Sequence, residues 1–247
     1  MTATQQTHQI VSREQWLTAR KALLAREKEF TRQRDELSRL RRELPWERVE
    51  KDYLFDGPAG TQTLADLFAG RSQLIVYHFM LGPGWTEGCK SCSFLADHID
   101  GSLIHLAHRD VTLTVASRAP YPEIAAFQQR MGWLFPWVSC HNNDFNFDYQ
   151  ASSTPDQRVD GKVYYNYEMS AFPGEERPAL SVFCKQNGEI FHTYSTYARG
   201  LDILLGTYNY LDLTPRGRDE HGLSFTMSWL RHHDRYEASS APVGIRP

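Results

Sequence analysis

Leu74-Ile75-Val76-Tyr77-His78-Phe79-Met80, then Leu81-Gly82-Pro83-Gly84-Trp85-Thr86-Glu87, then Gly88-Cys89-Lys90-Ser91-Cys92-Ser93 is the stretch that decides the fold. The apolar run reads as a buried strand, and the Gly/Pro-rich segment after it as a loop. Phe94-Leu95-Ala96-Asp97-His98-Ile99 continues as helix. Two cysteines at i and i+3 therefore sit at a strand–loop–helix junction. The unpaired N–H groups and partial positive charge of a helix N-terminus favour a thiolate at the first of them. One turn later the second is placed to attack a mixed disulfide formed at the first. A buried strand, a CxxC and a helix in that order is the redox form of the motif in a cytosolic α/β protein.

Upstream, residues 1–11 are polar and expected to be disordered. Ser12-Arg13-Glu14-Gln15 fits a capping box, and a long helix over residues 12–44 stops before Pro45. Along it Trp16, Leu23, Phe30, Leu37 and Leu44 recur every seven residues, but Ala19, Arg26, Gln33 and Leu40 between them are mixed. That narrow seam fits either a helix docked along its own domain or one that reaches a second subunit in a homodimer. A short strand at residues 49–55, an Asp-Gly-Pro turn and a capped helix at residues 63–68 follow.

Downstream of the cysteines, residues 105–110 close the CxxC helix. Residues 111–116 form an inner parallel strand, and residues 122–131 form a helix ending at Gly132. Residues 133–177 lose regularity and read as an insertion, with strand-like content only at Val163-Tyr164-Tyr165-Asn166-Tyr167. Pro178 then leads a β-hairpin, residues 179–184 and 189–195, turned at Asn187-Gly188. A terminal helix spans residues 201–211, and residues 237–247 form a flexible tail. Strands alternating with helices predict an α/β domain over residues 12–236 with a right-handed crossover between its inner strands.

The net charge of −3 offers no electrostatic case for nucleic acid. No window reaches the roughly 20 apolar residues that span a membrane. The N-terminal stretch lacks a signal-peptide core, and four cysteines are too few for a secreted disulfide scaffold. These features place the protein in the cytoplasm with reduced thiols, and no P-loop, G-x-S-x-G or G-x-G-x-x-G is present.

Several longer segments are more specific than the CxxC. They are Met131-Gly132-Trp133 with Phe135-Pro136-Trp137-Val138-Ser139, Asp144-Phe145-Asn146-Phe147-Asp148, the run from His192 to Asp202, and Tyr210-Leu211-Asp212-Leu213-Thr214-Pro215. With Cys89-Lys90-Ser91-Cys92-Ser93, they make the chain resemble the DUF899 family of thioredoxin-like dithiol–disulfide oxidoreductases. The resemblance implies a thioredoxin-like, peroxiredoxin-type mixed central sheet flanked by helices. It implies Cys89 as nucleophile, Cys92 as resolving thiol and no cofactor. The partner would be a thiol or disulfide substrate, protein or small molecule. Pro178 would be a cis-proline packed against the CxxC, exposing the backbone before it to an extended substrate. Pro178 and Trp85 are thus the substrate-binding candidates. Thioredoxins carry a tryptophan where Gly88 stands, and neither Gly-Pro nor Pro-His separates the cysteines here.

Two other chemistries stay open. Copper or zinc would find thiolate ligands at Cys89 and Cys92, with Cys140-His141, His98 or His105 completing the set. His98 and His105, seven apart, would share a helix face. A thiol peroxidase would use Thr86, three residues before Cys89, with Arg177 or Arg199 near the thiolate, although Pro83 stands one residue too close to Thr86. Cys184 reads as a small core hydrophobe. Tyr164, Tyr165, Tyr167, Trp133 and Trp137 would line a cleft or fill a core, and Asp144 and Asp148 would hold a cation or cap turns.

Overall fold

The computed structural model describes residues 8–237. The expected disordered residues 1–7 and the tail from residue 238 lie outside them. The chain forms two compact units, one up to Pro45 and one from Trp46. The first is helix α1 (Arg13–Arg42), opened by the capping box of Ser12 and Gln15. None of its residues is buried, and Trp16, Leu23, Phe30 and Leu37 are all more than half exposed. Exposed pairs such as Arg32–Glu29 at 2.6 Å and Arg39–Glu36 at 2.7 Å run along it, at the spacing that favours a solvated helix.

In chain order the second unit contains β1 (Glu47–Arg48), β2 (Leu54–Gly57), β3 (Gly60–Thr63), α2 (Leu64–Leu67), β4 (Gln73–His78), α3 (Lys90–Ala96), α4 (Asp100–Ala107), β5 (Val111–Ser117), α5 (Tyr121–Met131) and β6 (Trp137–Ser139). It continues with α6 (Phe145–Asp148), β7 (Val163–Tyr165), β8 (Glu168–Ser170), β9 (Ala179–Gln186), β10 (Glu189–Tyr197) and α7 (Gly206–Leu211). Eight strands form one sheet in the order β1-β10-β9-β4-β5-β6-β2-β3. β4, β5 and β6 are parallel, whereas β9 runs antiparallel to β4 and pairs with β10 through the Asn187-Gly188 turn. Both turn residues have positive φ, 54° and 82°, as a two-residue hairpin loop of this twist requires. This is the thioredoxin-like mixed sheet. No helix among the described residues is long and apolar enough to cross a membrane.

Period two along β4 divides the core. Tyr77 and Phe79 face one cluster with Cys92, Leu95, Phe127, Trp133 and Trp137. Leu74 and Val76 face another with Phe55, Phe68, Phe145 and Phe183. Phe79 packs 4.7 Å from Trp137, centroid to centroid, and burying such a side chain contributes about 1.5–3 kcal/mol.

Three expectations need correction. Residues 137–139 belong to the main sheet: β6 pairs in parallel with β5, so the insertion begins only after it. A three-residue strand amid aromatics and Pro136 carries too little alternation to stand out. The CxxC helix ends at Ala96 and a separate helix, α4, begins at Asp100, so His98 and His105 share no helix face. The terminal helix is also interrupted. Residues 198–204 are 3-10 and α7 starts at Gly206, which lies against the His98 ring, while the Thr207 N–H donates to His98 Nε2 at 3.2 Å. The irregular stretch before the tail packs into the domain: Leu230 and His232 are each 1% exposed.

Candidate active site

Cys89 caps α3 and Cys92 lies in its first turn. The Cys89 N–H donates to Met80 O at 3.0 Å, tying the motif back to the end of β4, and its carbonyl accepts from the Ser93 N–H and hydroxyl, both at 2.9 Å. Both thiols are free; Cys89 is half-buried and Cys92 is 2% exposed. Their environments drive them apart. The Cys92 S–H donates to the Cys89 sulfur and, with the backbone N–H groups of Cys92 and Ser91, lowers the Cys89 thiol to about 6 against the pull of burial. Burial, and then the neighbouring Cys89, push Cys92 well above an ordinary thiol. Tyr77, fully buried beneath the pair, donates its hydroxyl to Cys92. Such a pair has one thiol that ionises readily and one held protonated.

The loop before Cys89 is fixed by distant elements. Gly88 O accepts from the buried His232 Nε2 at 2.9 Å, and Arg130 on α5 binds both Glu87 (2.7 Å) and Asp234 (2.9 Å). A Cβ on Gly88 would come within 2.7 Å of Phe127 Cε1 and closer still to Phe79. There is no room for the tryptophan that thioredoxins carry here. Gly88→Ala is expected to cost about 1–3 kcal/mol by overpacking and to lower Tm by several degrees. A melting curve like that of wild type would mean that Phe79 and Phe127 yield freely.

Cys89, Cys92 and Tyr77 open into a cavity of about 940 Å³. Its walls come from residues 198–205, from residues 212–227, and from Met80, Leu95, Phe172 and Pro178. Pro178 is thus brought to the thiols, while Trp85, 40% exposed and folded over Gly82, is not among the lining residues. The expected cis-proline is corrected: no peptide bond among the described residues is cis. The backbone there is set instead by the insertion. Arg177 N–H donates to Ala151 O at 2.8 Å, and Pro178 O accepts from the Tyr165 hydroxyl at 2.7 Å.

The other candidates fall elsewhere. Among the described residues no three His, Cys, Asp or Glu side chains converge as metal ligands. Cys140 is buried, its thiol donating to Ser117 O at 3.3 Å, and burial raises it to about 12. His141 bonds to Arg118 O, and His105 is exposed on α4. Thr86 is exposed and outside the cavity lining, and Arg177 is buried on Ser153 and Gln150 O; only Arg199 of that trio lines the cavity. Asp144 and Asp148 hold Lys51 at 2.7 and 2.8 Å. Trp133 and Trp137 are core, Tyr165 packs with Tyr197, and Tyr164 and Tyr167 are exposed. The sequence reading missed Tyr77 and the wall at residues 212–227. Tyr77 is detectable as the hydroxyl one residue before the end of β4, but the wall has no periodicity to reveal it.

The chain thus has a thioredoxin-like fold with two free, unequal thiols lining one cavity. The chain belongs to the DUF899 family, described as "Bacterial protein of unknown function (DUF899)", which matches residues 5–236. No curated protein matches the chain. Solved structures similar to it include peroxidoxin BcpB from Mycobacterium tuberculosis, at 11% identity over 68% of this chain and 97% of that one, with a TM-score of 0.47. Peroxiredoxin Q from Xanthomonas campestris is similar at 12% identity over 66% and 95%, with a TM-score of 0.43.

Proposed function

We propose that the protein is a thiol–disulfide oxidoreductase in which Cys89 attacks and Cys92 resolves. The observation that carries this reading is the placement of both sulfurs in one cavity, hydrogen-bonded to each other at the start of α3. At neutral pH the thiolate of Cys89 attacks a disulfide sulfur and expels one thiol. Cys92, closer to Tyr77 and deeper, then gives up its proton and attacks Cys89, releasing the second thiol and leaving an intramolecular disulfide. The reverse sequence oxidises dithiols.

The test is a thiol titration across a dithiothreitol or glutathione redox series with peptide mapping. Cys89 and Cys92 are expected to interconvert between dithiol and disulfide at a single midpoint, with Cys140 and Cys184 staying reduced. Failure of the two to pair at any potential would remove the reading.

A further inference from the structure

Resting on that thiol-exchange reading, we infer that the substrate is a low-molecular-weight disulfide of amino-acid or short-peptide type, and not a folded protein. Two independent features lead there.

The first is that one edge of the backbone before Pro178 is already taken by the chain itself. Residues 151–153 lie antiparallel to residues 175–177: Ser152 bridges Glu176, Ser153 N–H donates to Glu175 O at 2.9 Å, and Arg177 N–H donates to Ala151 O at 2.8 Å. Side chains lock the same pairing. Ser152 Oγ donates to Glu176 Oε2 at 2.8 Å, and the Arg177 guanidinium, 1% exposed, donates to Ser153 Oγ at 2.9 Å. With Pro178 O bound to Tyr165, three polar backbone groups leading to the thiols, Glu175 O, Arg177 N–H and Pro178 O, have their partners within the chain. A peptide adding as a further strand needs those groups free.

The second is the cavity itself. About 940 Å³ suits a small ligand, and the wall at residues 212–227 stands beside the thiols where a flat docking face would have to be open. Most of its charges are already used. Arg199 pairs with Asp202 at 3.1 Å, and Arg218 pairs with Asp202 (3.3 Å) and Asp212 (2.8 Å). Glu220 accepts from Tyr208, Met227 N and Trp229. Arg216 and Asp219 also line the cavity, are exposed, and have side chains with no hydrogen bond or ion pair among the described residues. One spare guanidinium and one spare carboxylate, three residues apart, match the carboxylate and ammonium of an amino-acid thiol.

The reaction balances within these partners. Cys89 thiolate bonds to one sulfur of the substrate, its S–S bond breaks and one thiolate leaves. Cys92 loses its proton and bonds to Cys89 as the second substrate thiolate leaves. The protein dithiol is oxidised to a disulfide and the substrate reduced by two electrons to two thiols.

The experiment uses pre-reduced full-length protein, mixed separately with glutathione disulfide, uncharged hydroxyethyl disulfide and insulin. Formation of the Cys89–Cys92 disulfide is followed by acid quench and mass spectrometry. Glutathione disulfide is expected to oxidise the pair at least about a hundredfold faster than insulin, whose extended segments meet an edge already paired with residues 151–153. Arg216→Ala and Asp219→Ala, both at exposed side chains, are each expected to lower the preference for glutathione disulfide over hydroxyethyl disulfide by about tenfold. Insulin reacting as fast as glutathione disulfide, or a preference untouched by either substitution, overturns the inference while leaving the thiol chemistry in place. Oxidation by none of the three removes the thiol chemistry, and the inference with it.

Discussion

Cys89→Ser is expected to abolish exchange, by at least about a thousandfold, because the only thiol held as a thiolate near neutrality is lost. Cys92→Ala should behave differently. It keeps the first attack but cannot resolve it, so Cys89 accumulates as a mixed disulfide visible in the intact mass. It also removes the strongest of the contacts that lower the Cys89 thiol to about 6. Alkylation by iodoacetamide against pH reads this directly. Wild type should show a midpoint near 6, with reactivity falling tenfold per pH unit below it, and Cys92→Ala a midpoint moved clearly upward. Full turnover by Cys92→Ala with an unshifted midpoint would defeat the dithiol mechanism.

The second large effect lies on the opposite face of the sheet. His78 is fully buried, with Nδ1 2.8 Å from Asn146 Oδ1 and Nε2 3.0 Å from Ser181 Oγ. Ser181 continues to Ser195 at 2.9 Å and Ser195 to His192 Nε2 at 2.7 Å. Asn146 Oδ1 accepts, so the neutral His78 donates from Nδ1 and accepts the Ser181 hydroxyl at Nε2. Burial lowers His78 to about 4, outweighing the Asn146 contact, and His192 opposes its protonation too. An unfolded histidine takes its proton near 6.5, so between pH 6.5 and 4 the unfolded chain binds the extra proton. Stability is therefore complete above pH 6.5 and falls as the pH drops toward 4, by about 3 kcal/mol from this group. Urea unfolding at pH 7 and pH 4 should show wild type losing that much more than His78→Gln, whose side chain does not titrate. Equal losses in the two proteins would show that His78 is not the group responsible.

Much of the architecture is written locally. The apolar run at residues 74–80, the CxxC at a helix start, the Asn187-Gly188 turn and the Gly132 stop each depend on neighbours within a few residues, and each element forms there. Where local pattern was weak, the reading slipped. β6 is three residues long, and its place is set by pairing with β5 on one side and β2 on the other. The break before α7 depends on His98, more than a hundred residues away.

The sequence by itself determined the class of this protein: an α/β chain with two cysteines one helical turn apart, at the end of a buried strand. Period-two burial and helix capping act over a few residues and need no knowledge of the rest. Tertiary structure alone decided what surrounds those cysteines. The Cys89 and Cys92 environments diverge because the core buries Cys92, against the pull of Tyr77, while both thiols line one cavity. The Gly88 loop is clamped by His232, which lies 144 residues further along the chain. One edge of the backbone before Pro178 pairs with residues 151–153, and the cavity wall comes from a segment without periodicity. These are contacts between residues far apart in the chain, set by the packing of whole elements, and no local pattern encodes them.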